Sequence, residues 1–456
     1  MGVPACFVSF LVNTFGVEES DLPGLKFSAP AGATVLCAYY FIQPLSDTLA
    51  LSMGVEYTPL VTVGNMFMII FVNPLFAHVA KTRPIPEVLP TLYRVLMACL
   101  AGFALLFVLF PGVKQLSFSF SVYVGTFSLF LMTSFWGRMA SLHSKHEVKR
   151  IYGVISAGAQ VGQLIASIYA PALYGLMGNT IVLVSVVLLE GTVQLVKLRG
   201  QVGLSAEEQV VTSPTKPAGN QETGKTEADA PKGCCNDSSA LKGLTMLMST
   251  PFLRALSCHT LLITFITGAV WYERADAVAA AFASDANPEE SEYTFFARLN
   301  TIVGVLTLAL QLFAFSRVLK MLGFHGTLLA EPVAIMLGLV VAIVQPGLLS
   351  IAFLDGFRKV VHYAFVKPTK EGLYASVSKE VTFIAKPVLD TLVYRTGSLL
   401  GAGYFTIVLA IGVTPVQRRV FLFFVTILWA VNSYVLGKLA EQQQKEVAQT
   451  KPKELL

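Results

Sequence analysis

Apolar residues run along this chain in long, nearly continuous blocks rather than in the spaced stripes of a water-soluble amphipathic helix. Twelve blocks reach or approach the roughly 20 residues that a helix needs to cross a bilayer. Six fall near 30–52, 58–80, 88–111, 117–139, 151–177 and 179–197, and six more near 250–274, 292–318, 325–345, 347–366, 388–414 and 419–438. The pattern predicts an all-α membrane protein of twelve transmembrane helices.

Between the two sets lies 198–242, rich in Gly, Pro, Ser, Thr, Glu and Lys. Too few large apolar residues occur there to offset the entropy of ordering it, so it reads as a flexible cytoplasmic linker. The expected organisation is an N-terminal segment 1–29, a six-helix half 30–197, the linker 198–242, a second six-helix half 250–438 and a tail 439–456. Asn236-Asp237-Ser238 matches the glycosylation pattern, which is silent in a cytoplasmic loop.

Basic residues concentrate in alternate short loops: Lys81 and Arg83, then Lys145, Lys149 and Arg150, then Arg317 and Lys320, then Lys367, Lys370, Lys379 and Lys386. The positive-inside bias puts those loops, the linker and both termini in the cytoplasm. Arg418 and Arg419 run against this bias, and the sequence offers no account of them.

Spans five and eleven each follow a basic loop and each carry a GxxxG step, Gly158 to Gly162 and Gly397 to Gly401. Small residues at that spacing let helix backbones approach closely in lipid, so these four are expected at helix contacts. Equivalent positions in the two halves predict two parallel six-helix repeats, the layout of major facilitator-like transporters.

Composition agrees with lipid as the solvent, since 54% of the 456 residues are hydrophobic and 13% charged, against about 25% charged in soluble proteins. The net charge of +5 arises from loops and termini and comes with no nucleic-acid signature. Cys6, Cys37, Cys99, Cys234, Cys235 and Cys258 lack the spacing of a metal site or a disulfide framework. Glu18, Glu19 and Asp21 are opposed only by Lys26, unlike a transit peptide, and Cys6 departs from the myristoylation pattern.

Ionisable groups inside hydrocarbon are costly and mark candidate function. Those within the spans are Asp47, Arg94, Glu190, His259, Glu273, Arg298, Glu331, Asp355, Arg358, Asp390 and Arg395. The bland reading is that many sit near span ends and snorkel, or form gating ion pairs. His259, alone on an apolar segment, reads as a packing residue. As substrate-binding or coupling candidates the sequence offers Asp47, Glu273, Arg298, Asp355, Arg358, Asp390 and Arg395. Arginines in a cavity between the halves would attract an anionic solute, and a nearby carboxylate would pair with it or carry a coupling proton. No Walker loop, HExxH, GxSxG or Rossmann glycine pattern occurs, so neither an enzyme nor a cofactor is expected and transport would be secondary.

Pro368-Thr369-Lys370-Glu371 followed by Lys386-Pro387-Val388-Leu389-Asp390 resembles a loop and helix start of the ATP/ADP translocase family of plastids and intracellular bacteria, which is major facilitator-like. Phe135-Trp136, Lys149-Arg150-Ile151-Tyr152-Gly153, Leu247-Met248-Ser249 with Pro251, and Tyr39-Tyr40 with Pro44-Leu45 and Asp47 are similar to further family motifs. The resemblance implies an antiporter exchanging ATP, ADP or a related organic anion. The family's two phosphate-holding lysines align with Ser46 and Ser398, its glutamates with Val124 and Trp271, and an arginine of the bacterial relatives with Gln43. These departures keep two alternatives open: a permease for a non-nucleotide solute, or a non-transporting receptor or assembly protein on the same scaffold. The identity of the membrane is not encoded in any of these features.

Overall fold

The computed structural model describes residues 22–143, 145–211, 237–373, 381 and 385–450. Among them the long elements are helices: α1 (Leu22–Leu51), α2 (Thr58–Thr82), α3 (Ile85–Leu109), α4 (Lys114–Leu142), α5 (Lys145–Met177), α6 (Val182–Val211), α7 (Pro251–Phe282), α8 (Pro288–Phe313), α9 (Phe315–Val344), α10 (Leu348–Val361), α11 (Tyr394–Ala410) and α12 (Pro415–Thr450). Among the described residues ten stretches are long and apolar enough to cross a membrane, one of them, Ile151–Gly200, holding both α5 and α6. The fourteen residues of α10 are too short alone, but the helix continues through a π-helical turn, His362–Val366, and Lys367–Leu373. Helices dominate because backbone amides in hydrocarbon have no water to bond and must be satisfied within their own segment.

Helix ends run past the hydropathy reading at several places, α7 for instance reaching Phe282 rather than stopping near 274. α1 begins at Leu22 rather than near 30. α6 runs on to Val211 and a short helix, Asp237–Ser249, precedes α7, so both margins of the 198–242 linker are helical. α12 extends through Thr450, past the apolar block that ends near 438. Hydropathy stops where the apolar residues stop, whereas the helical hydrogen-bond ladder continues into water. α9 is broken at Gly323, whose φ of 65° separates a leading segment from the spanning part.

Helix contacts repeat. In the first half α1 packs on α4, α5 and α6, and α3 packs on α6; in the second, α7 packs on α10, α11 and α12, and α9 on α12. Contacts between halves obey the same symmetry, with α2 against α11 and α5 against α8. The glycines explain the tightest pairs. A Cβ on Gly158 would lie 2.8 Å from the Ala29 carbonyl of α1, and one on Gly162 would overlap the Ala33 carbonyl. In the second half a Cβ on Gly397 would overlap the Thr264 hydroxyl of α7, and one on Gly401 would lie 3.0 Å from the Phe265 carbonyl. Side chains such as Phe67, Phe71, Leu75 and Leu176 remain exposed on the outside, as a lipid-facing surface requires.

Candidate functional site

The halves are joined at the end of the bundle away from the linker, here termed the far end. Leu51 of α1 packs there with Ala275 and Val278 of α7 and Phe296 of α8. Tyr293 of α8 stacks on Tyr174 of α5, centroids 4.1 Å apart, and its hydroxyl donates to the Phe41 carbonyl at 2.9 Å. The hydroxyls of Thr62 on α2 and Tyr272 on α7 meet at 2.7 Å.

Beside this seal runs a chain of charged and amide groups. Asn300 of α8 donates to Gln43 of α1 at 2.7 Å, and Gln43, one helical turn before Asp47, donates to its carboxylate at 2.7 Å. Asp47 also accepts from Arg274 of α7 at 2.9 Å, and the other Arg274 amine reaches Asp355 of α10 at 2.9 Å. Asp355, fully buried, further binds Arg358 and Lys359 of its own helix, each at 2.8 Å. Pro44 lies inside α1 and lacks the amide that would bond the Tyr40 carbonyl, so the helix has one fewer internal bond just before Asp47. Arg274 also lies over the Phe296 ring at 4.8 Å.

Three cations, Arg274, Arg358 and Lys359, meet two carboxylates, Asp47 and Asp355, one positive charge more than these direct pairs balance, with the buried Glu331 in electrostatic range of Arg358. Burying so many ions costs several kcal/mol each, offset only while every pair is intact. Toward the linker the positive charge continues. Tyr394 of α11, 45% exposed, lies within electrostatic range of Arg358, Lys367, Arg395 and Tyr363. Lys367 sits over the Tyr363 ring at 5.5 Å and Arg395 beside the Tyr394 ring at 5.8 Å. Neither has a carboxylate partner among the described residues. Tyr39 of α1 is in electrostatic range of Tyr363, Tyr394 and Asp47, so this patch borders both halves. Cations and tyrosine rings grouped in this way can hold a planar or anionic solute.

The sequence-derived candidates therefore divide. Asp47, Asp355 and Arg358 come together in the inter-half chain, and Arg395 lies on its linker side. Glu273 is turned into the second half, paired with Arg418 at 2.8 Å and Arg419 at 3.1 Å of α12. That arrangement also accounts for Arg418 and Arg419, whose charges are buried on Glu273 and Asp276 rather than displayed in a loop. Asp390 lies at the linker end, 3.9 Å from Lys370, while Lys386 binds Glu371 at 2.7 Å. The two pieces of the Pro368–Glu371 and Lys386–Asp390 motif are thus cross-braced. Arg298 is on the lateral face of α8, away from the chain of ions.

Of the remaining ionisable groups, Arg94 and Glu190 pair at 3.6 Å between α3 and α6, and Glu331 pairs with His362 at 2.9 Å. His259 is buried against Trp429, whose ring nitrogen donates to it at 3.2 Å, a packing role. Cys6, Cys234, Cys235 and Lys379 lie outside the described residues.

Sequence reasoning missed Arg274, Lys359, Asn300 and Lys367. Arg274 sits at the end of its apolar block, and only the continuation of α7 to Phe282 places it inside the bundle. Lys359 carried a usable signal, because Asp355, Arg358 and Lys359 at i, i+3 and i+4 share a helix face.

Neither a protein-family model nor a curated protein matches the sequence. Solved structures match over nearly the whole chain. A bacterial homologue of the human lysosomal transporter Spinster, in an inward-facing and unoccupied conformation, is similar at 13% identity and a TM-score of 0.56, covering 94% of this chain and 99% of that one. The nucleoside transporter NupG is similar at 12% identity and a TM-score of 0.54, covering 92% and 99%. A bacterial homologue of the iron transporter ferroportin, inward-facing, is similar at 12% identity and a TM-score of 0.57, covering 92% and 98%. At such identities the likeness speaks of architecture, and it places this chain in the all-α, twelve-helix, major facilitator-like fold of integral membrane proteins.

Proposed function

We propose that the chain is a secondary transporter for an organic anion, working by alternating access of its two halves around the Asp47, Arg274, Asp355 and Arg358 chain. The observation that carries this reading is the double attachment of the cations. Arg274 bridges carboxylates of opposite halves, and Arg358 shares Asp355 with it while lying, like Lys367 and Arg395, within electrostatic range of Tyr394. An anion arriving from the linker side and bound by Arg358, Lys367 and Arg395 competes with Asp355 for positive charge. Asp355 then holds Arg274 differently, and Arg274 holds Asp47 less tightly, so binding and release of the far-end seal are coupled. A ligand shifts such an equilibrium only by its differential affinity for the two states, and a shared cation supplies that difference.

The three solved neighbours are a nucleoside transporter and two homologues of transporters, which supports transport as the task. Nucleotide exchange is the finer reading, drawn from the motif resemblance around Pro368–Glu371 and Lys386–Asp390. A nucleoside triphosphate brings about four negative charges that must be paired when dehydrated. Ser46 and Ser398 supply none of that charge, so Arg358, Lys359, Lys367 and Arg395 would have to.

The test is thermal stabilisation of the purified protein by ATP, ADP, a dicarboxylate and a neutral nucleoside. The expected result is stabilisation by at least one anion, lost in Arg395→Gln and in Lys367→Gln. Stabilisation by the neutral compound alone, unchanged in both variants, would overturn the reading.

A further inference from the structure

On the lateral face of the second half, between the end of α7, α8 and α10, lies a groove of about 500 Å³. Phe295, Ile302 and Leu349 give it apolar walls, Ile302 being 58% and Leu349 84% exposed. One polar stripe runs through it. Ser291, Thr294 and Arg298 recur at i, i+3 and i+7 on one face of α8. At 1.5 Å per residue Arg298 sits about 15 Å along the helix from Pro288, within the spanning segment.

Two features of the stripe bear on what it can hold. Many hydroxyls in the spans bond back to a carbonyl of the preceding turn, as Thr301 does to Ala297 at 3.0 Å and Ser257 does to Leu253 at 2.9 Å, although Thr48, Ser167, Thr260 and Thr307 do not. Among the described residues neither Ser291 nor Thr294 makes such a bond, and Arg298 has no carboxylate partner. The single carboxylate on the groove wall, Glu290, is two turns nearer the far end, with Oε1 3.3 Å from where a Cβ on Gly175 of α5 would stand. A guanidinium and two hydroxyls are thus left as donors, aligned between apolar walls that face hydrocarbon, where an unmatched charge is costly.

We propose that this groove binds an anionic phospholipid drawn from the surrounding bilayer. The phosphodiester lies on Arg298 with Thr294 and Ser291 donating to its oxygens, and an acyl chain runs along Phe295, Ile302 and Leu349. A guanidinium with neighbouring hydroxyls suits a phosphate oxygen fork, and the apolar walls match the chain that a free phosphate lacks. The back of the groove abuts the inter-half chain of charges. Leu299 lies 3.2 Å from where a Cβ on Gly356 would stand, and Gly356 adjoins Asp355.

The experiment uses the full-length protein in a nonionic detergent, offered equal amounts of phosphatidylglycerol and phosphatidylcholine, with retained lipid read by native mass spectrometry. Phosphatidylglycerol is expected to be retained with roughly tenfold preference, as one charge-assisted contact allows. Arg298→Gln should bring the ratio near parity and Thr294→Val should reduce it by a smaller factor. A phosphatidylglycerol carrying a photoreactive acyl chain should label peptides within 282–302 or 349–352 of the unaltered protein. Equal retention of the two lipids, a ratio unchanged in Arg298→Gln, or labelling elsewhere overturns the proposal. Displacement of the lipid by inorganic phosphate also overturns it, because the groove would then serve a free ion.

Discussion

Arg274 on α7 lies 2.9 Å from Asp47 on α1, an ion pair that joins the two halves and is almost wholly shielded from water. The same guanidinium holds Asp355 at 2.9 Å. Moving the halves apart at the far end must break the first contact and can keep the second, so Arg274 travels with its own half. Asp47→Asn keeps the shape of the contact while removing its charge. The variant should raise the reactivity of a cysteine placed at Leu51, in the seal, by about tenfold per 1.4 kcal/mol of lost pairing. Unchanged reactivity at Leu51→Cys would show that the pair does not hold the seal.

Glu273 gives the contrasting case. Its partners Arg418 and Arg419 lie in the same half, so removing it strands the buried Arg419 and leaves Arg418 with Asp276 alone, without freeing the seal. Glu273→Ala should cost about 3–5 kcal/mol of stability, the usual penalty for breaking one side of a buried pair. Thermal unfolding of the detergent-purified protein reads this directly, and reactivity at Leu51→Cys should stay low in whatever fraction folds.

The glycine contacts predict a graded series. Gly162→Ala and Gly397→Ala insert a methyl into a backbone carbonyl or a hydroxyl, whereas a Cβ on Gly403 of α11 meets nothing within 4 Å. The first two should lose about 1–3 kcal/mol through overpacking. Gly403→Ala should be neutral or slightly stabilising, since alanine suits a helix interior better. Equal melting temperatures across all three would remove the close approach of α5 to α1 and of α11 to α7 from the account.

Orientation follows from the basic loops alone. Cys234 and Cys235, in the linker, should react with a membrane-impermeant maleimide only after intact cells are opened. Labelling from outside would invert the topology and turn the far end toward the cytoplasm.

Much of the fold was legible because a bilayer leaves few choices. A backbone in hydrocarbon must satisfy its own hydrogen bonds, so twelve apolar blocks became helices, with ends that run on past the apolar residues, as at Leu22, Val211, Phe282 and Thr450. The site was legible in part. Asp47, Asp355 and Arg358 stood out through the cost of charge in a span, but that cost is the same for Glu273, which serves packing within one half. Hydropathy reports depth and not direction, so it could not separate Asp47, turned to the partner half, from Arg298, turned to a lateral groove. Arg274 escaped because the apolar block ends beside it while the helix does not.

Transport in proteoliposomes reads out whether the inter-half chain of charges belongs to an anion carrier. Vesicles containing the purified protein and preloaded with unlabelled ADP are given labelled ADP, a labelled dicarboxylate or a labelled neutral nucleoside. Uptake of at least one anion is predicted, abolished in Arg358→Gln and slowed at least tenfold in Asp47→Asn, an effect of about 1.4 kcal/mol or more on the barrier. Uptake of the neutral compound alone, or of an anion at a rate that neither substitution alters, would contradict the account.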